Sequence, residues 1–293
     1  MIRRPPRSTL SSSSAASDVY KRQSSNNAVV RDAKPTVMCF SGLDPTGGAG
    51  IQADVETLFA LGCHTTPIIT CLTTQSTENA LSARAVDADL MRDQALTVIA
   101  DMPVHAFKIG LMSAIEVIEA IHAVVSEHPD IPVVLDPVFT AGGGFEFSAT
   151  DMHEVLRSLL VPLSTVLTPN LFELTRLVPN SDSADCAVTE LLATGCQHVL
   201  VTGTHDETEA VENRLYSADG KVSNQTWPRL NGSYHGSGCT LAAAIAGYLS
   251  LGIEVKEAVR QGQDFTWQSL KHSFSPGSGQ YIPDRAYWNR REQ

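Results

Sequence analysis

Apolar and polar positions alternate along the chain with two periodicities, which predict strands and helices in regular succession. From Lys34 onward, short continuous apolar runs rich in β-branched residues are separated by longer stretches whose apolar residues stand three or four apart. The first pair is a strand at 35–42 and a helix at 47–62. Further strands are predicted at 65–74, 104–110, 132–137, 165–170 and 198–203, and further helices at 89–100, from Ser113, at 151–160, from Leu171 and at 185–194.

The last third of the chain predicts a hairpin followed by helices. Residues 214–227 have Asp219-Gly220 near their centre, a dipeptide typical of a hairpin turn, and two helices then extend to about Ser273. Because continuous apolar strands that alternate with helices indicate a parallel sheet covered on both faces, we expect an α/β fold. Neither a repeat nor a linker interrupts the pattern, so residues 34–293 are predicted to form a single domain.

The carboxyl ends of the predicted strands are polar and glycine-rich, although the strands themselves are apolar. They read Gly42-Leu43-Asp44, Thr73-Thr74-Gln75, Lys108-Ile109-Gly110, Asp136-Pro137, Thr168-Pro169-Asn170 and Thr202-Gly203-Thr204. Open α/β sheets bind their ligands at this end of the strands. The sequence therefore predicts a ligand site along this edge of the sheet.

Composition and charge narrow the class of protein. The chain has 43% hydrophobic and 18% charged residues, which is typical of a globular protein. No apolar run approaches the ~20 residues of a membrane helix, so we expect a cytoplasmic protein. Its six cysteines form no C-x-x-C pair and are expected to be reduced thiols. The net charge of −11 argues against nucleic acid as a partner. A protein this acidic would have to bind phosphate with backbone amides, a helix terminus or a metal ion.

Residues 1–33 differ in composition from the rest. They are rich in arginine and serine, and the first 23 carry five basic side chains and one acid. Such a leader is consistent with an organellar transit peptide. However, RRPPRSTLSSSSAASDVYKRQ also resembles translated sequencing-adapter sequence, which we favour. In either case the leader is expected to be disordered and to take no part in the chemistry.

The first glycine-rich motif is GLDPTGGAGIQAD at 42–54. Its G-x-G-x-x-A spacing from Gly48 invites a dinucleotide-binding interpretation. Against this, five residues separate the strand end from Gly48, and Gln75 rather than an acid ends the second strand. A P-loop is excluded because no Lys-Ser/Thr follows the glycines. Two interpretations stay open: a tight turn, or a loop whose backbone approaches a small ligand with Asp44 or Asp54 in contact.

The second motif is YHGSGCT at 234–240, directly before an alanine-rich helix. The backbone amides of Gly236, Ser237, Gly238 and Cys239 can converge at the positive end of that helix. There they would bind a phosphate or stabilise a transferring phosphoryl group. A helix N-terminus also lowers the pKa of a thiol, so Cys239 could be a partly ionised base or nucleophile. The alternative is a glycine turn with a small apolar residue that caps the core.

A third candidate site is LTPNLFEL at 167–174. Asn170 and Glu173 stand three apart at a helix start, hence on one face, and Asp136 ends the preceding strand. Their oxygen atoms suit Mg²⁺, which prefers few carboxylates together with substrate phosphates. On its own, the N-x-x-E spacing is usually a helix cap, so its value lies in its position beside Asp136.

In this order, the motifs resemble the ribokinase-like superfamily. SGLDPTGGAGIQAD, KIGLM, VVLDPV, TPNLFEL and HGSGCTLAAAIA closely resemble the hydroxymethylpyrimidine/phosphomethylpyrimidine kinases of thiamine biosynthesis, over roughly residues 35–270. The resemblance implies an αβα sandwich with a mainly parallel central sheet, commonly a homodimer, that uses ATP and Mg²⁺. It also implies phosphorylation of the hydroxymethyl group of 4-amino-5-hydroxymethyl-2-methylpyrimidine, followed by phosphorylation of the resulting monophosphate.

The resemblance further implies roles for single residues. Cys239 occupies the place where most of the superfamily has an aspartate base. Gln75 matches a glutamine that hydrogen-bonds the aminopyrimidine, a task that suits an amide because it donates and accepts at once. The other matches are Gly42, Asp54 and Met112 in the substrate pocket, Asn170, Thr202 and Gly203 beside ATP, and Asp136 and Glu173 at the metal.

One position departs from the family pattern. Family members often have a lysine, in KGGH, where this chain has Thr202 in HVLVTGTHDE. A fixed charge near the phosphates is thereby lost, and the second phosphorylation is supported less well than the first. Pyridoxal, also an aromatic heterocycle with a hydroxymethyl group, is an alternative substrate. A non-catalytic relative that binds the pyrimidine is the other alternative.

Overall fold

The computed structural model describes residues 34–140, 144–147, 150–203 and 209–289. Within them, nine strands form one sheet in the order β3-β2-β1-β4-β5-β6-β7-β8-β9. The strands are β1 (Thr36–Leu43), β2 (His64–Gln75), β3 (Ala80–Ala85), β4 (Ala106–Ile109), β5 (Val133–Leu135), β6 (Val166–Leu167), β7 (His198–Thr202), β8 (Ala210–Ser217) and β9 (Gly220–Pro228). The predicted leader and Thr204 lie outside the described residues.

Eight α-helices of the described residues accompany the sheet. They are α1 (Gly50–Ala60), α2 (Ala88–Asp101), α3 (Ile115–Ser126), α4 (Thr150–Leu159), α5 (Leu171–Leu177), α6 (Ala184–Ala193), α7 (Ser237–Ser250) and α8 (Val255–Lys271). Short 3₁₀ turns occur at Val161–Leu163 and Tyr287–Asn289. A helix both long and apolar enough to cross a membrane is not found among them.

The interior of the sheet is parallel and its edges are antiparallel. Strands β2, β1, β4, β5, β6 and β7 pair in parallel. Strand β3 runs antiparallel to β2, and β8 and β9 extend the other edge in antiparallel pairs. The predicted α/β fold with a mainly parallel sheet is confirmed. Strand β3 was not predicted, because its ALSARA sequence has mostly exposed or half-exposed side chains and no continuous apolar run.

Helices cover both faces, so successive side chains of each inner strand enter different core layers. In β1, Met38 and Phe40 enter one layer, while Val37 and Cys39 enter the other. Helices α2 to α6 contribute to the first layer, for example through Met91, Ile118, Leu156, Leu174 and Val188. Helices α1, α7 and α8 contribute to the second through Ile51, Leu58, Ile245, Ala246 and Val259. Burial on both faces explains the continuous apolar strands.

The predicted helix start at Ser113 is wrong by two residues. Helix α3 begins at Ile115, and its N-cap is Ala114, which makes no side-chain cap hydrogen bond. The Ser113 hydroxyl is buried beside the Cys71 thiol rather than turned toward the helix amides. A serine with a glutamate three positions later is therefore not a capping box here.

The segment after α8 returns across the carboxyl edge of the sheet. The backbone of Gln280 donates to Thr77 O (2.8 Å), just after β2, and the backbone of His235 donates to Tyr281 O (2.9 Å). This C-terminal segment thereby joins the end of β2 to the second glycine motif. No apolar periodicity in the sequence had indicated it.

Candidate active site

A cavity of about 800 Å³ opens at the carboxyl edge of the parallel strands. Ten of the thirteen predicted site residues line it: Gly42, Gln75, Asp136, Asn170, Glu173, Thr202, Gly236, Ser237, Gly238 and Cys239. They come from distant parts of the chain and meet because parallel strands end at one edge. The structure therefore brings both glycine motifs and the N-x-x-E segment to one place.

The second glycine motif starts helix α7 and presents its amino end to the cavity. Gly236 is the N-cap, with φ 85° and ψ 17°, a left-handed conformation that glycine adopts without strain. A Cβ on Gly236 would lie 1.9 Å from Gly48 O, so the two glycine loops are in direct backbone contact. A Cβ on Gly238 would lie 3.6 Å from Asp136 Oδ1. The amide nest and an acidic side chain therefore stand side by side.

The thiol of Cys239 is not partly ionised, contrary to the expectation from its helix position. Burial raises the pKa of this thiol to about 12, and the nearby Lys108 ammonium offsets only part of that effect. The negative charge of Asp136 raises it further. The effect of desolvation on this pKa thus outweighs that of the helix terminus. At neutral pH, Cys239 is a neutral thiol that lies half-buried at the cavity wall.

Asp136 and Glu173 form an acidic pair at the floor of the cavity. Burial raises the pKa of Asp136 to about 6, although Lys108 works in the opposite direction. Burial and the charge of Asp136 raise the pKa of Glu173 to about 8. Asp136 Oδ2 is buried and accepts no hydrogen bond within the described part of the chain. Because burial raises the pKa of both carboxyl groups, a cation between them would stabilise them as anions.

The N-x-x-E segment is also a helix cap. Asn170 Oδ1 accepts from the Glu173 amide at 2.9 Å, and Glu173 Oε2 accepts from the Asn170 amide at 2.9 Å, which is a complete capping box. Asn170 pairs with Thr202 in an isolated parallel bridge. The cap fixes Glu173 at the start of α5, with Oε1 left outside the cap.

The first glycine motif is organised by Asp44. Its carboxylate accepts from the backbone amides of Thr46 and Ala49, each at 2.8 Å, and from His235 Nε2 at 2.7 Å. Burial alone would raise the pKa of Asp44. The hydrogen bonds from His235 and Thr46 outweigh this effect and hold the pKa of Asp44 well below its usual range. The Gln75 side chain also hydrogen-bonds Asp44. An ionised Asp44 thus orients Gln75 at the cavity wall.

Three predicted site residues are not brought to the cavity. Asp54 is fully buried and pairs with Lys108, whose Nζ lies 2.9 Å from Asp54 Oδ1, so it cannot contact a ligand in the cavity. Met112 packs in the core, and its neighbour Leu111 lines the cavity instead. Gly203 does not line the cavity, and its amide donates to Asn213 Oδ1 at 3.1 Å.

Several residues near the site were missed by the sequence analysis. The ion pair of Lys108 was missed although this residue stands at a predicted strand end, and Arg285 lies beyond the last predicted helix. Trp227 and Gln263 line the cavity and are linked by a hydrogen bond of 3.1 Å. A lysine in the middle of a buried strand is the one signal that could have been used, because it requires a buried partner.

Comparisons with known proteins show to which family this chain belongs. A family model described as phosphomethylpyrimidine kinase matches residues 44–284. The hydroxymethylpyrimidine/phosphomethylpyrimidine kinase of Streptomyces coelicolor is 35% identical to this chain, over 84% of this chain and 92% of that protein.

Two solved structures extend the agreement to the fold. An ADP complex of the pyridoxal kinase from Bacillus subtilis superimposes with a TM-score of 0.80 at 28% identity, covering 88% of this chain and all of that one. The phosphomethylpyrimidine kinase of Clostridium difficile gives a TM-score of 0.68 at 30% identity, over 81% and 99% of the two chains. With the ribokinase-like sandwich and the two glycine motifs in place, this chain belongs to the phosphomethylpyrimidine kinase family.

Proposed function

We propose that this chain transfers the γ-phosphoryl group of ATP to the hydroxymethyl group of 4-amino-5-hydroxymethyl-2-methylpyrimidine, and a second phosphoryl group to the monophosphate formed. The observation that carries the proposal is the single cavity in which the Gly236–Cys239 amides, the acidic pair and Gln75 meet. Phosphoryl transfer needs chiefly positioning and charge stabilisation, which these groups supply.

Gln75 recognises the aminopyrimidine in this proposal. Its amide is held by Asp44, which has no proton to donate and therefore accepts from the Gln75 NH₂ group. One N–H and the carbonyl oxygen of Gln75 are then free to face an exocyclic amine and a ring nitrogen. The link from His235 to Asp44 couples this recognition to the second glycine motif.

Cys239 orients the acceptor hydroxyl and does not remove its proton. A thiol with a pKa of about 12 is neutral at working pH and can accept or donate a weak hydrogen bond. The amides of Gly236, Ser237 and Gly238 stabilise the charge that grows on the transferring group. Because the transition state is loose, the acceptor oxygen needs little activation by a base.

Asp136 and Glu173 are the residues that would hold Mg²⁺. They fit a divalent cation because both are acidic, burial raises the pKa of each, and Asp136 Oδ2 has no partner within the described residues. No group of three or more His, Cys, Asp or Glu side chains with metal-site geometry occurs in the described ranges, so phosphate and water oxygens would complete the shell. The bound cation would neutralise charge on the phosphates.

Thr202 and Asn170 line the cavity at neighbouring strand ends, where we place the ATP phosphates. Among the described lining residues there is one arginine, Arg229, and no lysine. We expect the second phosphorylation to be slower than the first, since the monophosphate adds negative charge and Thr202 contributes none.

We also propose a homodimer, in keeping with the family resemblance. Leu72 of β2 is 50% exposed and Leu81 of β3 is 71% exposed, at the antiparallel edge next to the site. Light scattering coupled to size exclusion tests the dimer, and a monomer across the micromolar range would contradict it.

Pyridoxal is the second candidate substrate, since the pyridoxal kinase of Bacillus subtilis shares the fold at a TM-score of 0.80. The deciding experiment is ADP release with ATP, Mg²⁺ and, in parallel, the pyrimidine, its monophosphate or pyridoxal. We expect the highest kcat/KM with the pyrimidine. Turnover of pyridoxal alone would favour the second candidate. Absence of ADP release with all three would make the chain a binding protein, and Asp136→Asn provides the inactive control.

A further inference from the structure

Arg285 is a buried cation that the reaction described above does not use. It lies in the C-terminal segment after α8, is only 2% exposed, and does not line the cavity. Arginine is rarely buried unless its donors are satisfied. Its partners therefore indicate what it does.

The guanidinium reaches three separate elements with three different nitrogens. Nη2 donates to Gly48 O in the first glycine motif at 2.5 Å, and Nε donates to Thr240 Oγ1 in the first turn of α7 at 2.9 Å. Nη1 pairs with Glu56 Oε2 on α1 at 2.9 Å. A planar guanidinium spreads these three contacts over three nitrogens, whereas a lysine would present its three donors from a single nitrogen.

Two of these contacts converge on Gly236, the N-cap of α7. Thr240 Oγ1, which accepts from Arg285, donates to Gly236 O at 2.8 Å. Gly48 O is the acceptor of the other contact, and it lies very close to Gly236. A Cβ placed on Gly236 would be 1.9 Å from Gly48 O and 2.9 Å from Arg285 Nη2. The arginine thus fixes Gly236 from the helix side and from the loop side.

The two glycine motifs also touch on the cavity side of this junction. His235 donates to Asp44 on the cavity side, whereas Arg285 holds the buried side of the same junction. Asp44 orients Gln75 in the acceptor pocket, and Gly236 opens the amide nest. The separation between acceptor and nest therefore depends on this junction.

We propose that Arg285 is a positioning residue for phosphoryl transfer, which locks the first glycine motif to the start of α7 so that the acceptor hydroxyl and the amide nest keep a fixed separation. The catalytic part of this proposal rests on the proposed function. The mechanical part, the locking of two loops, does not.

The test compares Arg285→Gln and Arg285→Lys with wild type. We expect kcat with the pyrimidine to fall by roughly 10²-fold in Arg285→Gln, because a shift of about 1 Å in reacting groups can have that effect. The KM for the pyrimidine should change less than threefold, since Gln75 and Asp44 stay in place. Arg285→Lys retains the charge but not the fork, and should recover little of the loss.

A matched control removes only the negative charge of the outer partner, Glu56. Glu56 is 44% exposed, and Glu56→Gln leaves both inner contacts of Arg285 in place, so its kcat should stay near wild type. Circular dichroism fixes a temperature at which each variant is fully folded. If Arg285→Gln does not fold, Arg285→Lys carries the comparison. An unchanged kcat in a folded variant would overturn the proposal.

Hydrogen exchange on the substrate-free protein separates this proposal from the proposed function. In Arg285→Gln or Arg285→Lys, amides at 47–50 and 236–241 should exchange faster, while those in β4 and β5 should not. This outcome is expected whichever substrate the enzyme takes. If exchange at both loops is unchanged in the variants, the locking role is overturned, even when the wild-type protein is an active kinase. If exchange is faster in the variants but the wild-type protein is inactive with all three substrates, only the proposed function is overturned.

Discussion

At the scale of single residues, Cys239 gives the sharpest prediction. If the thiol only orients the acceptor, Cys239→Ala removes one hydrogen bond of about 1 kcal/mol and should lower kcat/KM by roughly fivefold. Loss of a general base would instead lower it by about 10²–10⁴-fold. Cys239→Ser keeps a donor and acceptor and should stay close to wild type.

The pH dependence of the same variants distinguishes the two roles independently. With its pKa raised to about 12, the thiol has no titration to contribute between pH 6 and 9. Wild type and Cys239→Ser should therefore share one profile of kcat/KM in this range. A wild-type profile that rises with pH and becomes flat in the serine variant would show that the thiolate is the active species.

Asp54 carries a second prediction at this scale, because the structure moves it from the substrate pocket to the core. Lys108 Nζ lies 2.9 Å from Asp54 Oδ1, and Ser41 Oγ donates to Asp54 Oδ2 at 2.5 Å, with both charged side chains fully buried. Asp54→Asn leaves the lysine charge unpaired and should lower the free energy of unfolding by about 3–5 kcal/mol.

Urea denaturation measures this loss, and Asp89→Asn is the control. Asp89 also pairs with a basic residue, Arg92, but is 80% exposed, so its substitution should change stability by less than about 1 kcal/mol. The folded fraction of Asp54→Asn should keep the wild-type KM for the pyrimidine. A large rise in KM at unchanged stability would return Asp54 to the substrate pocket.

At the scale of elements, the site depends on how the end of β5 meets the start of α5. Asp136 and Glu173 both have a raised pKa in the folded protein, so their protonated forms favour folding at low pH. That contribution is complete below their ordinary pKa near 4 and is lost as pH rises through about 6 to 8. Cation binding requires both groups ionised and should strengthen over the same range.

The corresponding measurement is the shift in melting temperature caused by Mg²⁺ alone, at pH 5.5 and pH 8.5. We expect a larger Mg²⁺-induced stabilisation at the higher pH. Glu173→Gln should remove most of this pH dependence, because only Asp136 would then titrate. Equal stabilisation at both pH values would mean that the cation binds elsewhere.

The same scale shows what the sequence could and could not predict. Strand-end residues such as Asp136, Asn170 and Thr202 line one cavity, as their positions suggested, because parallel strands bring their carboxyl ends to one edge whatever the side-chain details. The sequence could not show that Asp54 lies outside the cavity, because its partner Lys108 is 54 residues away and no local pattern reveals an ion pair. Arg285 was missed for the same reason, since it contacts Gly48 across 237 residues.

At the scale of the whole molecule, the parallel strands position the site and the C-terminal segment joins its parts. That segment contacts the turn after β2 through Gln280 and holds both glycine motifs through Arg285. Catalytic geometry in this chain thus depends on a segment with no recognisable motif of its own. Such long-range contacts explain why motifs identify the family but not all the residues on which its activity depends.

The last prediction concerns where the chain must begin. Strand β1 lies inside the sheet, between β2 and β4. Two hydrogen bonds hold its beginning: Pro35 O accepts from the His64 amide at 2.8 Å, and the Thr36 amide donates to His105 Nδ1 at 3.1 Å. A chain that begins at Lys34 keeps both contacts. It should match the full chain in kcat/KM and melting temperature.

A chain that begins at Met38 is the matched control. It loses both contacts and the fully buried Val37, and should unfold with about 2–4 kcal/mol less free energy. Because the cavity is built at the opposite end of β1, its kcat/KM while folded should change far less than its stability. Loss of activity on beginning at Lys34, with stability intact, would show instead that residues 1–33 take part in the reaction or in assembly.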